Sequence, residues 1–163
     1  MKYIVFGHKR HGKDAVCELL AEWSGMTHMS SSWYCCKKFI FEDMRLDHNY
    51  ESPEECFNDR NNHRQYWYES IRNYNKDDRA RLGKEIFAEH DIYCGIRDQE
   101  EFDAIKAAGL FDAAVWIDAS RRLPPEEGNS MNLGPESADV ILNNNEEEPL
   151  LLAEVIKVFF KGK

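Results

Sequence analysis

Short apolar runs alternate along the chain with stretches in which apolar residues recur at helical spacing. An apolar run at residues 3–6 ends at Gly7, and three comparable runs follow in the second half of the sequence. Runs of this length between turn residues are typical of buried strands in parallel sheets. The predicted strands cover residues 3–6, 26–30, 91–96, 113–117 and 139–142.

Helical spacing fills most of the intervals between these strands. Apolar side chains recur through residues 15–23, and Gly25 is placed to end that helix. Asp98 and Glu101 have the spacing of a capping box and begin a helix that Gly109 closes. Further helices are predicted over residues 33–44, 58–75 and 77–90 and after Pro149. Strands that alternate with helices predict an α/β fold, with a parallel sheet covered by helices on both faces.

Composition narrows the classes of protein to which the chain can belong. Its 163 residues suit one domain, and 42% of them are apolar, enough for a sizeable core. The 21 basic and 30 acidic side chains give a net charge of −9, which argues against a general nucleic-acid coat or a polybasic membrane binder. No apolar run reaches the length of a membrane span, and the first run meets Gly7 too early for a signal peptide. We therefore expect a cytoplasmic protein with no membrane partner.

The most informative motif is G-x4-G-K at residues 7–13, directly after the first strand and before the first helix. Its glycines let the backbone curl so that N–H groups point at phosphate oxygens, and the helix N-terminus adds positive charge. Lys13 then neutralises the β- and γ-phosphates of a nucleotide. The predicted ATP-binding loop consists of Gly7, His8, Lys9, Arg10, His11, Gly12, Lys13, Asp14 and Ala15.

Asp14 stands where the common form of this motif has a serine or threonine that holds Mg²⁺. A carboxylate offers a harder oxygen and can hold the ion directly or through water, which makes Asp14 the candidate metal ligand. The alternative is that Asp14 is an acid in the first helical turn, where it interacts favourably with the helix dipole.

Three segments resemble the phage deoxynucleoside monophosphate kinases and the related phage kinases that act on 5-hydroxymethyl-deoxyuridine in DNA. Residues 9–14, Lys-Arg-His-Gly-Lys-Asp, are similar to the K-R-x-G-K-D loop of the monophosphate kinases. Residues 93–101 are similar to the family's strand ending in D-x-R, and residues 138–144 to its A-D-x-x-I-x-N segment beside the adenine.

The resemblance implies a single P-loop kinase domain over residues 1–163, with a five-stranded parallel sheet in the order 2-3-1-4-5. It implies an acceptor-binding helical insertion at about 31–90 and a short lid at about 119–137. It also implies ATP and Mg²⁺ as cofactors, a deoxynucleotide as the acceptor and, for a phage-encoded enzyme, the host cytoplasm as the location. The oligomeric state is left open.

Arg97 and Asp98 follow the predicted strand at 91–96, at the sheet edge where open α/β folds bind ligands. Arg97 is a candidate contact for the acceptor or the γ-phosphate, and the alternative is an ion pair with Glu100 or Glu101. Asp98 is either the N-cap of its helix or a base toward an acceptor hydroxyl.

Residues 58–84 hold seven basic and four acidic side chains, a local charge of +3 in an acidic protein. Within this stretch, Arg60, Arg64 and Trp67 recur at i, i+4 and i+7 of the predicted helix. Such a face can bind a phosphate and stack a base, so these three residues are candidate acceptor contacts. The alternative is a solvated amphipathic helix with Trp67 in the core.

The lid segment begins with Arg121 and Arg122 and contains no further basic residue up to Glu136. The resemblance assigns Arg121 to the transferred phosphate, as the usual lid arginine. It assigns Arg122 to ATP, together with Asn143 and Asn144 beside the adenine. A lid with so little positive charge favours an alcohol acceptor over an anionic one.

Three functions are therefore open. The favoured acceptor is the 5-hydroxymethyl group of 5-hydroxymethyl-deoxyuridine within DNA, and the alternative is a free deoxynucleoside monophosphate. The third possibility is a nucleotide-binding module without turnover, because Gly95 stands where relatives carry an aspartate that orders Mg²⁺ or the acceptor. Asp98 or Asp43 is a candidate substitute for that aspartate.

Overall fold

The computed structural model describes residues 1–126, 131–146 and 148–159. Its centre is a sheet of five parallel strands in the order β2-β3-β1-β4-β5, as predicted. The strands are β1 (Tyr3–Phe6), β2 (His28–Ser30), β3 (Ile92–Cys94), β4 (Ala113–Asp118) and β5 (Val140–Asn143). All five predicted strands are confirmed, although β3 ends before Gly95, whose φ of +91° leaves the extended conformation.

Eight α-helices connect and cover the strands in the described residues. They are α1 (Lys13–Ser24), α2 (Ser31–Cys35), α3 (Phe41–His48), α4 (Pro53–Asn58), α5 (Arg64–Tyr74), α6 (Arg81–Glu89), α7 (Gln99–Ala107) and α8 (Glu148–Phe159). A π-helical turn at Cys36–Ile40 joins α2 to α3, and 3₁₀ turns occupy Arg60–His63 and Pro135–Ser137. Among the described residues, no helix is long and apolar enough to span a membrane.

The core lies on both faces of the sheet because β1 is central and buried along its whole length. Ile4 and Phe6 pack into one cluster with residues of α3, α5, α6 and α7. Tyr3 and Val5 point to the opposite face, where they pack against α1 and α8. This alternation is the period-two pattern of a strand, here apolar on both sides because helices cover both faces.

Two helix predictions differ from the structure at their beginnings. The helix predicted from residue 58 begins as a 3₁₀ turn, and α5 starts at Arg64. The helix predicted from residue 77 begins at Arg81, because the side chain of Asp78 accepts a hydrogen bond from Ala80 N and holds a turn there. The Asp98 side chain caps α7 by accepting a hydrogen bond from Glu101 N, as its spacing predicts.

Candidate active site

The G-x4-G-K motif forms the connection between β1 and α1, at the carboxyl edge of the sheet. Gly7 and Gly12 have φ values of +154° and +101°. A Cβ atom on Gly7 would lie 2.7 Å from the carbonyl oxygen of Ile117 on β4, and one on Gly12 would meet the side chain of Asn144. Glycine is therefore required at both positions by the backbone conformation and by close neighbours.

Lys13 folds back over this loop. Its Nζ atom donates hydrogen bonds to the carbonyl oxygens of Gly7 and His8, both at 3.0 Å. Burial, followed by the nearby charge of Arg97, lowers the pKa of Lys13 to about 8. A bound phosphate would relieve the repulsion and favour the charged ammonium, so this lysine is poised to hold an anion.

A cavity of about 80 Å³ opens beside the loop and is strongly cationic. Its charged lining residues are Lys9, Arg10, Lys13, Asp14, Arg60, Arg64 and Arg97. Within the described part of the chain, Asp14 is the one acid that lines this cavity. Such an excess of positive charge around a glycine-rich loop is suited to a polyphosphate.

Asp14 lies in the first turn of α1, next to the end of β3. Its Oδ1 atom accepts a hydrogen bond from Cys94 Sγ at 3.7 Å, and the hydroxyl-bearing Ser30 and Ser32 line the same cavity. Carboxylate and hydroxyl oxygens suit Mg²⁺, which keeps several water and phosphate ligands of its own. The described residues contain no cluster of three or more acidic, histidine or cysteine ligands. The donor set therefore fits a phosphate-bound Mg²⁺ rather than a metal caged by protein.

Arg60 and Arg64 line the cationic cavity from the other side. Arg60 lies in the 3₁₀ turn before α5, so it does not share one continuous α-helix with Arg64 and Trp67, as the sequence predicted. Its guanidinium lies 3.8 Å from the ring centre of Phe57. Burial lowers the pKa of both arginines, that of Arg64 to about 10, and Arg64 Nε has no hydrogen-bond partner. Arg64 is therefore a desolvated cation whose Nε–H group is still available to donate a hydrogen bond.

A second cavity, of about 30 Å³, lies between α5, the end of β3 and the start of α7. Trp67 lines it, packs in the core at 4% exposure, and leaves its indole N–H without a partner. Ser32, Arg64, Gly95 and Arg97 line this cavity and the cationic one. The two cavities therefore adjoin, with the two arginines at their boundary.

Asp98 is fully engaged within the second cavity. Its Oδ2 atom caps α7, and its Oδ1 atom accepts hydrogen bonds from Tyr68, Arg72 and Asn132 at 2.9 to 3.1 Å. Both oxygens of this carboxylate therefore already accept hydrogen bonds from the protein. The contacts favour the N-cap interpretation of Asp98 over the base. Asp43, the other candidate substitute for the family's aspartate, lines a separate groove beside Tyr66 and Tyr74.

Gly95 has a positive φ of +91°, and a Cβ atom there would meet nothing closer than Ser31 Oγ at 3.6 Å. Space is therefore available for a side chain, but the backbone conformation is one that an aspartate rarely adopts.

Arg97 pairs with Glu126 and not with Glu100 or Glu101. Glu100 instead pairs with Arg72 and Arg79, and Glu101 accepts a hydrogen bond from Tyr93 OH inside the second cavity. The predicted alternative for Arg97, a local ion pair with the start of α7, is wrong in its partners. The true partner is 29 residues away in the sequence, in the segment predicted to be a lid.

The connection after β4 is attached to the phosphate loop by His8 and His11, which the sequence analysis assigned to ATP binding and not to this contact. His11, 1% exposed, accepts a hydrogen bond from Ala119 N at its Nδ1 atom and lies 3.0 Å from Pro124 O at Nε2. His8 Nδ1 accepts a hydrogen bond from Glu126 N. Burial and the neighbouring His11 ring lower the pKa of His8, which favours the neutral ring that this bond needs. The presence of two histidines within the motif was the sequence signal that could have indicated this attachment.

Comparison with known proteins finds kinases among the solved structures. A shikimate kinase from Aquifex aeolicus superimposes with a TM-score of 0.54 at 12% identity, over 96% of this chain and 94% of that chain. A shikimate kinase from Bacteroides thetaiotaomicron gives 0.52 at 13% identity, over 96% and 95%. A gluconokinase from Sinorhizobium meliloti gives 0.50 at 13% identity, over 94% and 88%. The fold is that of the P-loop kinases. No protein-family model matches the sequence, and neither does any curated protein.

In this P-loop kinase fold, the segment after β5 supports the phosphate loop. Asn144, which is buried, donates from Nδ2 to the carbonyl oxygen of His11 at 2.8 Å, and its own carbonyl accepts a hydrogen bond from Arg122 Nε. Asn143 Oδ1 accepts hydrogen bonds from Asn145. Arg121 is exposed and lies 3.7 Å from Glu146, away from both cavities. Residues 127–130 of the predicted lid lie outside the described residues.

Replacing Asn144 with alanine is expected to lower the free energy of unfolding by about 1–3 kcal/mol, because the buried carbonyl of His11 would lose its donor. The loop would also be held less firmly, so ATP affinity should fall with stability. Urea unfolding and ATP titration check both effects. The exposed Asn61, replaced by alanine, is the control and should change neither. A fully stable Asn144→Ala protein would contradict the supporting role of this side chain.

Proposed function

We propose that the protein is an ATP-dependent phosphotransferase that moves the γ-phosphoryl group to a deoxynucleotide. The observation that carries the proposal is the pair of adjoining cavities, one lined by the phosphate loop and Lys13, with Arg64 and Arg97 at their boundary. In phosphoryl transfer the nucleotide and the acceptor lie on opposite sides of the moving group, and cationic side chains around that group stabilise its charge. We take residues 31–90 as the acceptor-binding insertion and residues 119–137 as the lid.

In the proposed mechanism, the phosphates of ATP lie on residues 7–15, and Lys13 spans the β- and γ-phosphates. Asp14 is the residue that would hold Mg²⁺, which would supply positive charge to neutralise the phosphates. Arg97 and Arg64 stabilise the charge spread over the moving group. The bond from the γ-phosphorus to the bridging oxygen breaks as an acceptor oxygen from the second cavity bonds in line.

The enclosed second cavity favours a free deoxynucleoside monophosphate as the acceptor. Either acceptor must widen a cavity of about 30 Å³, but a base in duplex DNA must also leave its stack. The basic stretch at 58–84 offers DNA little, because four of its seven cations already pair with carboxylates. The paired cations are Arg72, Arg79, Arg81 and Lys84.

The 5-hydroxymethyl group of 5-hydroxymethyl-deoxyuridine in DNA is the second candidate acceptor. Residues 123–137 contain no lysine or arginine, and an alcohol brings less charge to be neutralised than a monophosphate. Trp67 lines the acceptor cavity, where an extruded base could contact its ring.

Transfer of labelled γ-phosphate from Mg·ATP to a divided panel of acceptors tests the proposal. One half contains the four free deoxynucleoside monophosphates, and the other contains duplexes with thymidine or 5-hydroxymethyl-deoxyuridine. Label in one monophosphate alone supports the first acceptor, and label in the hydroxymethylated duplex alone supports the second. Bound ATP without transfer to any acceptor would indicate a nucleotide-binding module instead of an enzyme.

Replacing Arg64 with alanine is expected to raise the KM of the acceptor by about 10-fold or more, since hydrogen bonds to a buried charge contribute about 1.5–3 kcal/mol. The KM of ATP should change far less, because Lys13 and the loop remain. Steady-state kinetics with each substrate varied in turn measure the two constants. The exposed Arg45, which pairs with Glu42 on α3, supplies the control Arg45→Ala. Equal rises in both constants would remove Arg64 from the acceptor side.

A further inference from the structure

Glu126 lies within the predicted lid segment, and its side chain is only 3% exposed. It forms an ion pair with Arg97, which is itself 17% exposed. Its Oε1 atom also accepts a hydrogen bond from the backbone N–H of Lys9 at 3.1 Å. The carboxylate therefore lies directly on the phosphate loop, between a loop N–H group and the arginine at the boundary of the two cavities.

These are the contacts that a phosphoryl oxygen would make. A phosphate loop binds anions through its backbone N–H groups, and a guanidinium pairs with carboxylate and phosphate in the same geometry. The negative charge of Glu126 also acts on Lys13 and Arg64, where it favours the charged form and so raises the pKa against the effect of burial. One carboxylate thus interacts with much of the charge that the nucleotide would use.

We propose that Glu126 is a built-in anion that occupies a phosphoryl position while no nucleotide is bound, and that the phosphates of ATP must displace it. The inference rests on the proposed function in one respect, namely that phosphates bind residues 7–15. Displacement costs affinity, because only the fraction of molecules with the carboxylate removed can bind. In return, the carboxylate keeps Arg97 paired until a nucleotide binds.

Displacement of Glu126 would also release the chain that carries it. Glu126 N donates to His8 Nδ1 at 3.1 Å, so the backbone and the side chain of this residue hold the same loop. When the carboxylate leaves, Arg97 is freed to contact the moving phosphoryl group. Glu126 is therefore a competitor of the nucleotide and a regulator of when Arg97 is available.

A purely structural ion pair would give the opposite result in a binding experiment. If Glu126 only holds Arg97 in place, its neutralisation leaves anion affinity unchanged or weaker. If it competes, neutralisation strengthens the binding of anions to the loop. Inorganic tripolyphosphate is the probe, because it carries the phosphates without the adenosine and reports on the loop alone.

The dissociation constant of tripolyphosphate should fall by about 10-fold or more in Glu126→Gln, as measured by titration calorimetry. Glu136→Gln removes one charge from an exposed acid of the same lid segment and should leave the constant unchanged. Glu126→Ala repeats the test without an amide that could bind Arg97 or Lys9, and thermal melts establish that each variant is folded.

Equal or weaker binding by both Glu126 variants, with the wild type binding normally, would overturn the competition and leave the proposed function intact. An equal gain in Glu136→Gln would also overturn it, because the effect would then be one of overall charge. If neither the wild type nor any variant binds tripolyphosphate, the phosphate site itself is refuted, and with it both proposals.

Discussion

Lys13→Ala is expected to lower the rate of phosphoryl transfer by about 10²–10³, the typical loss for one preorganised electrostatic donor. Lys13 Nζ donates hydrogen bonds to the carbonyl oxygens of Gly7 and His8, so contacts with the loop itself fix its position. In the proposed reaction the same ammonium would neutralise charge that develops on the β- and γ-phosphates in the transition state. Single-turnover measurements at saturating ATP isolate this effect from binding.

Two further variants separate charge from packing at this position. Lys13→Met keeps the apolar stem of a side chain that is largely buried, and it should lose about as much activity as alanine if the charge is what matters. Lys76→Ala removes an exposed cation outside both cavities and should leave the rate unchanged. Near-normal turnover by Lys13→Met would refute the proposed role of the loop lysine.

Stability is expected to fall as the pH rises from 5 to 8, and Glu101→Gln should remove much of this fall. Burial raises the pKa of Glu101 from 4.5 to about 7, although the hydrogen bond from Tyr93 OH opposes that shift. At pH values between these two pKa values, Glu101 keeps a proton in the folded protein that it has lost in the unfolded chain. Unfolding therefore releases a proton, and stability decreases as the pH rises. At 1.36 kcal/mol per unit of pKa, the difference amounts to about 3 kcal/mol at pH 8.

The measurement is urea unfolding of both proteins at pH 5 and at pH 8. Only the difference between their two pH dependences is interpreted, because other groups titrate equally in both proteins. The exposed Glu18 on α1 supplies the control Glu18→Gln, which should follow the wild type. Parallel curves for the wild type and Glu101→Gln would mean that Glu101 is ionised in the folded protein at neutral pH.

The sequence predicted those strands, helix ends and loops whose conformation depends on neighbouring residues in the chain. The continuous apolar run at residues 3–6 predicted a buried strand, and Gly25 ends α1 in the left-handed conformation that favours glycine. The phosphate loop was predictable because its function requires glycines and a lysine in a fixed order. Asp98 was predictable as a helix cap because capping depends on spacing alone.

The partners of the charged side chains were not predictable from spacing. Arg97 has acids three and four residues ahead, yet it pairs with Glu126 across the cleft, since α7 turns Glu100 and Glu101 away from it. Likewise, Asp98 meets Tyr68 only because α5 packs over the end of β3. Such contacts depend on how helices are placed on the sheet, and a single sequence contains no direct record of that placement.

The attachment of the segment Ala119–Glu126 to the phosphate loop has a consequence for how this protein can be altered. His8, Lys9 and His11 are three of the four variable positions of the G-x4-G-K motif, and each of them contacts the distant segment. A loop transplanted from a kinase of the same fold would bring the glycines and the lysine, but without a histidine at position 11 it would leave Ala119 N without its acceptor. Residues 7–13 and 119–126 therefore form one structural unit, in which a substitution in one segment requires a compatible substitution in the other.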